Sequence, residues 1–372
     1  MSSASGSSVL MGLTGLRIDG GIAAVSRCIA RALDEEVRAG RLDRTDRVLL
    51  LDDPGHAADP PARGEQHWSR GSQARFVWQC WRAYRRHRHD LVLFDLVGLA
   101  RGTAFPLPGF PPPRTAIFVH GIELDAARDG SRARALARAQ VVLANSQFTA
   151  DRLQRDLPAL AGRIRVVPLC IDPERIQLWE SAERASPVPH REPAALIVGR
   201  MWSTERGKGH DELIAAWPSV RRAVPDAELW IVGGGDDAAR LAAATRAAGV
   251  AECVRFLGRV SDAELGALYR RASVFALPSR QEGFGLVYAE AMWWGLPCIG
   301  STADAAAQVI AERETGELVP YGDADALARA LAGLLSDPGR AARMGEAGRR
   351  RAREHFHYGR FRADLLAALG LS

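Results

Sequence analysis

The feature that most constrains the fold is a rhythm of short apolar segments alternating with longer amphipathic ones in both halves of the 372-residue chain. Short aliphatic runs are typical of buried strands, and the longer segments have helical spacing. Predicted strands are 8–13 (less clearly apolar), 47–51, 91–94, 115–119, 141–144, 164–167, 195–198, 228–232, 254–257 and 274–277. Predicted helices are 23–38, 131–139, 146–157, 211–224, 238–248, 262–271, 285–294 and 324–335. This order favours an α/β fold with doubly wound parallel sheets covered by helices on both faces.

A polar segment, residues 181–193, separates the two halves. It contains three prolines and shows no apolar period, which is typical of a link between domains. Because each half is long enough to bury a core of its own, we expect two Rossmann-like domains. The N-terminal domain should cover residues 1–180 and the C-terminal domain residues 190–352. A second proline-rich stretch, 105–113, is expected to form a surface loop in the first domain.

Composition narrows the class of protein. The chain is 47% hydrophobic and 25% charged, as expected of a globular protein rather than a fibrous or disordered one. No segment has the ~18 consecutive apolar residues of a membrane span, and the chain start lacks the basic residues of a secretion signal. The five cysteines lie far apart, which indicates reduced thiols rather than a disulfide framework or a zinc site. These features predict a cytoplasmic protein.

The strongest functional pattern spans residues 278–290, where an apolar strand ends, a glycine-containing loop follows and a helix begins. The free N–H groups and positive dipole end of such a helix start favour an anion, most obviously phosphate. Gly283 and Gly285 would let a ligand approach the backbone closely. Carboxylates suit hydroxyls rather than phosphate, so one of Glu282 and Glu290 could hold a sugar and the other a ribose. The alternative is that Glu282 is an exposed loop residue and Glu290 a solvated helix residue.

A second pattern follows the predicted strand 195–198. Arg200 lies at the carboxyl end of this strand, where ligands bind in open α/β sheets, and Lys208 follows shortly after. An arginine fork and a lysine ammonium can together neutralise a diphosphate. Surface arginines are common in this chain, and the pair gains meaning only beside the Glu282 pattern.

Taken together, these segments resemble the retaining glycosyltransferases of the GT-B fold, in the large bacterial mannosyl- and glucosyltransferase family with an E-x7-E motif. The resemblance rests on 198–200, 208–210, 229–235, 254–258 and 282–290 in the second half, and on Gly20-Gly21, His120-Gly121, 144–146 and 167–172 in the first. It implies an N-terminal acceptor domain and a C-terminal nucleotide-sugar domain that face each other across a cleft. It also implies that the C-terminal segment, 353–372, returns as a helix to the N-terminal domain.

The resemblance assigns roles to individual residues. The implied catalytic residues are His120, Arg200, Lys208 and Glu282. The implied donor contacts are Gly20, Gly21, Arg200, Lys208, Gly258, Val260, Glu282, Gly283, Phe284, Gly285, Leu286 and Glu290. Glu282 would contact the donor-sugar hydroxyls and Glu290 the ribose. Arg200 and Lys208 would stabilise the charge that develops on the leaving diphosphate. The stretch between these two residues is longer than is usual in the family, so either Lys208 or Arg206 would contact the diphosphate. His120 would face the donor sugar, although a histidine that closes a strand end is an equally good interpretation.

The remaining implied contacts involve backbone groups. The Gly20-Gly21 loop would lie near the acceptor and the phosphate, and Gly258 with Val260 would touch the base. Asp323-Ala324-Asp325 has the letters of a metal motif but opens a predicted helix, where aspartate is a preferred N-cap. We therefore expect no metal and no cofactor other than the nucleotide-sugar co-substrate.

The chain has a net charge of +5, and its one dense run of basic residues extends from Arg82 to His89. This run follows Trp78 and Trp81. Basic and aromatic residues on one helix suit an anionic membrane surface, so a peripheral position on the inner face of the membrane is one expectation. A solvated helix face is the alternative. Nucleic acid is not expected as a partner, because no helix-turn-helix, RNP-like or zinc-finger signature accompanies the charge.

These expectations define one function and two alternatives. The chain is expected to be a metal-independent, retaining hexosyltransferase that moves a hexose, mannose or glucose, from a nucleoside-diphosphate sugar to a sugar or lipid-linked saccharide. Such a reaction would serve cell-surface polysaccharide or glycolipid biosynthesis. The alternatives are a nucleotide-sugar isomerase or hydrolase on the same fold, and a non-catalytic nucleotide-sugar-binding membrane adaptor. The donor base (guanine, uracil or adenine), the acceptor, the linkage and the oligomeric state stay open.

Overall fold

The computed structural model describes residues 7–18, 20–56, 60–104, 113–121, 130–185 and 190–371. Its chain divides into two compact units. The first unit runs to Asp172 and takes in the C-terminal segment from Tyr358, and the second is Pro173–His357. No helix within the described ranges is long and apolar enough to cross a membrane.

Strands and helices alternate along the described part of the chain. The strands are β1 (Ser7–Leu13), β2 (Leu42–Leu49), β3 (Gln66–Trp68), β4 (Leu91–Phe94), β5 (Arg114–Val119), β6 (Val141–Ala144), β7 (Ile164–Val166), β8 (Ala194–Val198), β9 (Glu228–Val232), β10 (Val254–Gly258), β11 (Val274–Leu277), β12 (Cys298–Ser301) and β13 (Gly316–Val319). The helices are α1 (Gly21–Arg38), α2 (Gln73–His87), α3 (Gly130–Arg138), α4 (Gln147–Asp156), α5 (Pro173–Ala185), α6 (His210–Ala223), α7 (Ala238–Ala247), α8 (Asp262–Arg271), α9 (Leu286–Trp293), α10 (Ala306–Val309), α11 (Ala324–Ser336), α12 (Pro338–His355) and α13 (Tyr358–Leu369).

Both units are built on parallel sheets with the same order of strands. Among the described residues, the first sheet has seven strands in the order β3-β2-β1-β4-β5-β6-β7, and the second has six in the order β10-β9-β8-β11-β12-β13. The order reverses beside β1 and β4 in the first sheet and beside β8 and β11 in the second. At such a switch point the loops that follow the strands diverge and leave room for a ligand. The predicted α/β class, with two doubly wound parallel sheets, is confirmed.

The central strands are apolar along their length because helices cover both faces of a parallel sheet. All residues of β4 and β6 in the first unit, and of β11 and β12 in the second, are buried. β1 lies between β2 and β4, where Val9 pairs with Thr45 and Leu91. The segment that looked like a weak first strand is therefore a central strand of the first sheet.

The chain leaves the first unit earlier than the predicted linker suggests. Helix α5 belongs to the second unit, where Trp179 is fully buried. The Trp179 ring packs against the rings of Tyr269 and Trp294, at centroid distances of 6.1 and 5.6 Å. Because this contact holds α5, the first unit ends at Asp172 rather than at residue 180.

The chain returns to the first unit later than expected. Residues 353–357 remain with the second unit, where Phe356 packs edge-on against Phe284 at a centroid distance of 5.7 Å. Helix α13 then packs on α1 within the first unit, and Arg362 forms an ion pair with Glu36. The returning segment thus begins at the start of α13.

The apolar pattern missed three strands, β3, β12 and β13. β3 has three residues and none of them is aliphatic, while β12 and β13 have four residues each, in which glycine and a polar residue interrupt the apolar ones. Short strands of this composition give no apolar run to detect. Two predicted loops fall largely or partly outside the described residues, at 105–112 and 186–189.

The five cysteines occur in both units, and each is a free, buried thiol. Burial raises the pKa of the Cys80 and Cys298 thiols. In the first unit the sulfurs of Cys28 and Cys170 lie 3.6 Å apart, in contact but not bonded. Because the thiolate is the reactive form of cysteine, these buried side chains are chemically quiet.

Candidate functional site

The loop after β11 carries several of the predicted site residues of the second unit. It leads from the strand end at Leu277 into α9. Gly285, directly before the helix, has a φ of +86°, and a Cβ there would lie 2.4 Å from the ring of Tyr288. Backbone conformation and space therefore both require glycine. By helix geometry, the first N–H groups of α9 lack carbonyl partners within the helix, which favours an anion at this point.

Asp304 holds this loop in place. Its buried carboxylate accepts hydrogen bonds from the Ser279 hydroxyl, from the N–H of Glu282 at 3.1 Å and from the N–H of Ala306 at 3.0 Å. Burial raises the pKa of Asp304 to about 6, against the lowering effect of these donors. Loss of the carboxylate would leave two backbone N–H groups and a hydroxyl without their acceptor, so Asp304 fixes the conformation of the loop.

Two predicted catalytic residues meet at this loop. The ammonium of Lys208 lies 2.9 Å from the carboxylate of Glu282, and the two side chains are 14% and 19% exposed. The N–H of Arg280 donates to the carbonyl of Gly207 at 2.9 Å, which joins the two loops that carry the pair. Lys208 and Glu282 neutralise each other, so an anionic ligand can compete for the lysine and leave the carboxylate to accept from hydroxyls.

The two arginines of this region have other partners. Arg200 is exposed and pairs with Glu205 at 3.0 Å. Arg206 directs its guanidinium fork at Asp237, with contacts of 2.7 and 3.1 Å. Between Arg206 and Lys208, the geometry therefore favours Lys208 as the cation beside the α9 loop.

Glu290 lies in the interior of the second unit. Its side chain is 5% exposed, and its carboxylate accepts from the guanidinium of Arg175 and, at 3.1 Å, from the hydroxyl of Tyr269. Burial raises the pKa of Glu290, and the charge of Arg175 opposes this rise. Arg175 is itself anchored by Asp262 at 2.8 Å. The interpretation of Glu290 as a solvated helix residue is therefore wrong.

The remaining predicted donor contacts of the second unit differ in exposure. Phe284 is buried in an aromatic contact, so it offers its backbone rather than its ring to a ligand. Gly283 is also buried, whereas Leu286 and Val260 are half-buried. Gly258 ends β10 at the carboxyl edge of the same sheet. These positions can contact a ligand mainly through main-chain groups.

The first unit has a comparable arrangement at its own switch point. Asp95 follows β4 and is fully buried. Its carboxylate accepts from the N–H of Thr14 at 2.7 Å, from the Thr14 hydroxyl at 3.1 Å and from the Ser26 hydroxyl at 2.5 Å. Burial raises the pKa of Asp95 to about 6. Thr14 follows β1 and Ser26 lies in α1, so one carboxylate joins three elements.

His120 is anchored to the same residue. Its Nε2 lies 2.8 Å from the main-chain carbonyl oxygen of Asp95, and its ring stacks on Phe118 at a centroid distance of 5.1 Å. Because a carbonyl oxygen only accepts, Nε2 carries the proton in this contact. The residue is 6% exposed. This geometry suits a histidine that closes a strand end, the second of the two interpretations.

The Gly20-Gly21 loop leads into α1. Asp52 accepts from the N–H of Leu16 at 2.7 Å and from that of Arg17 at 3.2 Å, which fixes the first part of the loop. Gly20 has a φ of +124° and a ψ of 165°, a region populated essentially by glycine alone. No described atom lies within 4 Å of the place where its Cβ would be. The loop is therefore exposed, and Gly20 is required by backbone conformation rather than by space.

The basic run does not form one exposed face. Arg82 lies 5.4 Å from the ring of the exposed Trp78, and Arg86 forms an ion pair at 3.2 Å. His89 lies beyond the end of α2, is 2% exposed and bonds to a buried carboxylate at 2.6 Å. A membrane-facing position for His89 is therefore wrong, because its ring belongs to the interior. The part of the run displayed by α2 is Arg82, Arg85 and Arg86.

Asp323, the first residue of the Asp-x-Asp sequence, is the N-cap of helix α11. The carboxylate of Asp323 accepts from the N–H of Ala326 at 2.8 Å at the start of α11. The interpretation of Asp323 as an N-cap is confirmed. Across the described ranges, no group of three or more His, Cys, Asp and Glu side chains is placed to hold a metal ion.

Two family models match the chain, one over each half. The model described as Glycosyltransferase Family 4 matches residues 20–175, and the model described as Glycosyl transferases group 1 matches residues 180–351. The chain belongs to the GT-B glycosyltransferases. The family resemblance read from the sequence is confirmed.

Individual relatives of this GT-B glycosyltransferase match part of its length or its fold. The GDP-mannose-dependent alpha-(1-6)-phosphatidylinositol monomannoside mannosyltransferase of Mycolicibacterium smegmatis is 41% identical over 169 residues, which is 44% of each chain. The match spans less than half the length of this curated relative. Sucrose-phosphate synthase from Thermosynechococcus elongatus has a TM-score of 0.80 at 22% identity over 98% of both chains. Anabaena HepE in complex with UDP-glucose has a TM-score of 0.73 at 19% identity over 98% of this chain and 99% of its own.

Three residues that organise the site of this glycosyltransferase were not found from the sequence: Asp95, Arg175 and Asp304. Asp95 and Asp304 follow strands, and a polar residue at a strand end near the switch point is a usable signal. Arg175 precedes the predicted linker, and nothing near it in the sequence marks its contact with Glu290.

Proposed function

We propose that this GT-B glycosyltransferase moves a hexose, mannose or glucose, from a nucleoside-diphosphate sugar to a hydroxyl of a sugar or lipid-linked saccharide. The product would belong to a cell-surface polysaccharide or glycolipid. The observation that carries the proposal is the Lys208–Glu282 pair at the start of α9, on a loop fixed by Asp304. A cation and a helix N-terminus suit a diphosphate, and a carboxylate beside them suits sugar hydroxyls.

In the proposed reaction the donor diphosphate lies at the N-terminus of α9 and draws Lys208 away from Glu282. Glu282 then accepts hydrogen bonds from hexose hydroxyls and orients the ring. As the bond from C1 to the diphosphate oxygen breaks, Lys208 and the helix dipole stabilise the charge on the leaving oxygen. One well-placed group in such a role contributes about 3 kcal/mol.

We further propose that the configuration at C1 is retained and that no metal or other cofactor takes part. The acceptor oxygen would bond to C1 on the face that the diphosphate leaves, and its proton would pass to the departing diphosphate oxygen. Arg200 would exchange its ion pair with Glu205 for the diphosphate. This exchange costs little, because exposed ion pairs contribute at most about 1 kcal/mol.

The nucleoside is proposed to lie beside Glu290. Each oxygen of this carboxylate has one protein partner, Arg175 or Tyr269, and a carboxylate offers about four acceptor positions, so ribose hydroxyls can be added. The backbone at Gly258 and Val260 would contact the base. The mycobacterial relative depends on GDP-mannose and the Anabaena protein binds UDP-glucose, so these are the first two donors to test.

The acceptor is proposed to bind the first unit near the Gly20-Gly21 loop. His120 follows β5 at the same carboxyl edge of the sheet, where its role would be to face the donor sugar. The proposed location is the cytoplasm, with a peripheral contact on an anionic membrane surface. The exposed Arg82 and Arg85 of α2 support such a contact. Nucleic acid has no part in this proposal.

The test uses the full chain with the matched variants Lys208→Met and Arg206→Gln. GDP-mannose or UDP-glucose at 100 times its dissociation constant should stabilise the wild type against thermal unfolding by about 2.7 kcal/mol. Lys208→Met should lose most of this stabilisation. Arg206→Gln should keep it, because Arg206 is committed to Asp237. Equal loss in both variants would contradict the assignment of the diphosphate to Lys208.

Turnover then separates the alternatives. Product formation that requires an added saccharide or membrane-lipid fraction supports a transferase. Equally fast donor consumption without any acceptor would indicate a hydrolase or isomerase, and donor binding without consumption would indicate an adaptor. The proposal fails if no GDP, UDP or ADP sugar stabilises the wild type.

A further inference from the structure

A groove opens in the first unit between the end of β3 and the start of α2. It has a volume of about 640 Å³, within the range of small-molecule sites. Its walls are mainly basic, aromatic and amide side chains: His67, Trp68, Arg70, Arg75, Trp78 and Gln79. The donor and acceptor residues assigned above do not line it.

The groove lies at the carboxyl edge of the first sheet. β3 is the edge strand, two strands from β1 and four from β5, whose end carries His120. At ~4.8 Å between neighbouring strands, the groove is on the order of 10 Å from the end of β1 and 20 Å from that of β5. An elongated acceptor whose reacting end lies near β1 and β5 would therefore extend towards the groove.

Two tryptophans give the groove a surface suited to a sugar ring. Trp78 is 57% exposed, although large aromatic side chains are usually mostly covered. The indole N–H of Trp68 is buried and has no hydrogen-bond acceptor among the described residues. Indole N–H groups usually find a partner when buried. The apolar face of a pyranose can stack on the exposed indole of Trp78, and the unpaired indole N–H of Trp68 adds a buried donor to the groove wall.

Two arginines give the groove its charge. The nearest acid to the exposed Arg70 is Asp53, at 3.9 Å, and both side chains are 58% exposed. Arg75 is exposed and its guanidinium has no ion-pair partner in the described part of the chain. Arg70 also has a φ of +49°, a left-handed backbone conformation that is uncommon for residues other than glycine. Guanidinium groups bind carboxylates and phosphates in preference to neutral groups.

We propose that this groove is a distal acceptor subsite for a sugar that carries a carboxylate or a phosphate. The inference rests on the proposed function, because it extends the acceptor across the first unit. His67 at the groove wall faces Glu65 at 3.4 Å, which partly offsets the local positive charge but leaves both arginines available. The anion would bind Arg70 and Arg75, and its ring would lie on Trp78.

The test titrates the full-length, donor-free protein with glucuronate, glucose 6-phosphate, glucose and inorganic phosphate. The readout is the NMR signal of each indole N–H, assigned by Trp→Phe variants. The signals of Trp68 and Trp78 should shift saturably with glucuronate or glucose 6-phosphate, at least tenfold more tightly than with glucose or phosphate alone. Equal affinity for inorganic phosphate would overturn the proposal in favour of a simple anion site, and no shift with any sugar would overturn it entirely.

Matched variants show whether the charged sugar binds in the groove. Arg75→Gln and Trp78→Ala, both exposed substitutions, should each weaken binding of the charged sugar about tenfold. Arg86→Gln is the control, because Arg86 lies on the same helix, is 58% exposed and is outside the groove. Vesicles containing phosphatidylglycerol separate a lipid headgroup from a saccharide. If the groove variants reduce vesicle binding and leave sugar binding unchanged, the subsite is refuted.

The same samples distinguish this inference from the proposed function. Donor-dependent stabilisation and transfer without a charged-sugar shift would reject the subsite and leave the transferase standing. Charged-sugar binding without any nucleotide effect would reject the transferase, and with it the assignment of the groove to an acceptor, and would leave only a charged-sugar site.

Discussion

The two units use the same device at their switch points, a buried aspartate that ties together loops following the strands. Asp95 in the first unit and Asp304 in the second each accept from a serine hydroxyl and from at least one backbone N–H. Burial raises the pKa of each to about 6. The loops they hold are different. Asp304 fixes a loop that carries the partly exposed Glu282, whereas Asp95 fixes two hydroxyl residues that are themselves buried.

This difference indicates that Asp95 only fixes the fold, whereas Asp304 positions a residue that is proposed to bind the donor. A carboxylate that is saturated by protein donors has little capacity left for a ligand, so its contribution is to fix the backbone. In the second unit the fixed backbone presents Glu282 beside Lys208. In the first unit the same fixation closes the junction of β1, β4 and α1, and the exposed group nearby is the Gly20-Gly21 loop. We therefore expect loss of Asp95 to affect stability more than donor binding, and loss of Asp304 to affect donor binding more than stability.

The largest effect is expected for Asp95→Ala. It removes the acceptor of three donors in a fully buried place, so the free energy of unfolding of the first unit should fall by about 4 kcal/mol. Donor affinity should change less than threefold, because the diphosphate and the nucleoside are assigned to the second unit and His120 contacts the main chain of Asp95 rather than its carboxylate. Urea unfolding measures the first quantity and nucleotide titration the second. A larger effect on donor binding than on stability would break the comparison.

Stability should also respond to pH through the same carboxyl groups. The folded pKa of Asp95 is raised from 3.8 to about 6, so its share of stability is fully present below pH 4 and is lost as pH rises through 6, by about 3 kcal/mol. His210 acts in the opposite direction in this window, because burial lowers its pKa to about 4. The measurement therefore compares Asp95→Asn with wild type from pH 4 to 7. The variant should lose less stability over this range; parallel curves would show that Asp95 does not titrate there.

Gly20 before α1 and Gly285 before α9 allow a further comparison of the two units. Gly285→Ala brings a Cβ to 2.4 Å from the Tyr288 ring and also strains φ, whereas Gly20→Ala strains the backbone in open space. Gly285→Ala should cost about 2 kcal/mol more stability than Gly20→Ala. It should also weaken donor binding. Thermal melts of both variants with and without GDP-mannose check this, and equal losses would show that the contact with Tyr288 relaxes.

The smallest effect is expected for donor binding in Asp304→Ala. The Glu282 loop should become mobile and donor affinity should fall about tenfold, which is about 1.4 kcal/mol. Asp325→Ala is the control, because Asp325 is exposed at the start of α11. Calorimetric titration gives both affinities. Unchanged binding in Asp304→Ala would mean that the loop keeps its conformation without the carboxylate.

The sequence was sufficient where the signal is local. Aliphatic runs predicted β4, β6 and β11, because a strand buried on both faces needs apolar residues throughout. The spacing from Glu282 to Glu290 likewise reported a loop followed by a helix. Both inferences depend only on residues close together in the chain.

Long-range partners could not be predicted in this way. Trp179 looks like an ordinary residue near a polar linker, and only its contacts with Tyr269 and Trp294 show that α5 belongs to the second unit. Asp304 and Arg175 act on groups distant in sequence, and although Asp304 follows a strand, nothing near either residue in the chain shows which groups it contacts. The position of His89 was wrongly predicted for the same reason, because the buried carboxylate that it contacts, Asp46 in β2, is distant in sequence.

The five buried thiols make the chain suited to site-directed labelling. A maleimide dye would leave the native cysteines largely untouched, because they are buried. Cysteines introduced at the exposed Ala39 and Ala223 would place one fluorophore on each unit without removing any native cysteine. Energy transfer between the dyes could then follow the separation of the units in single molecules during turnover.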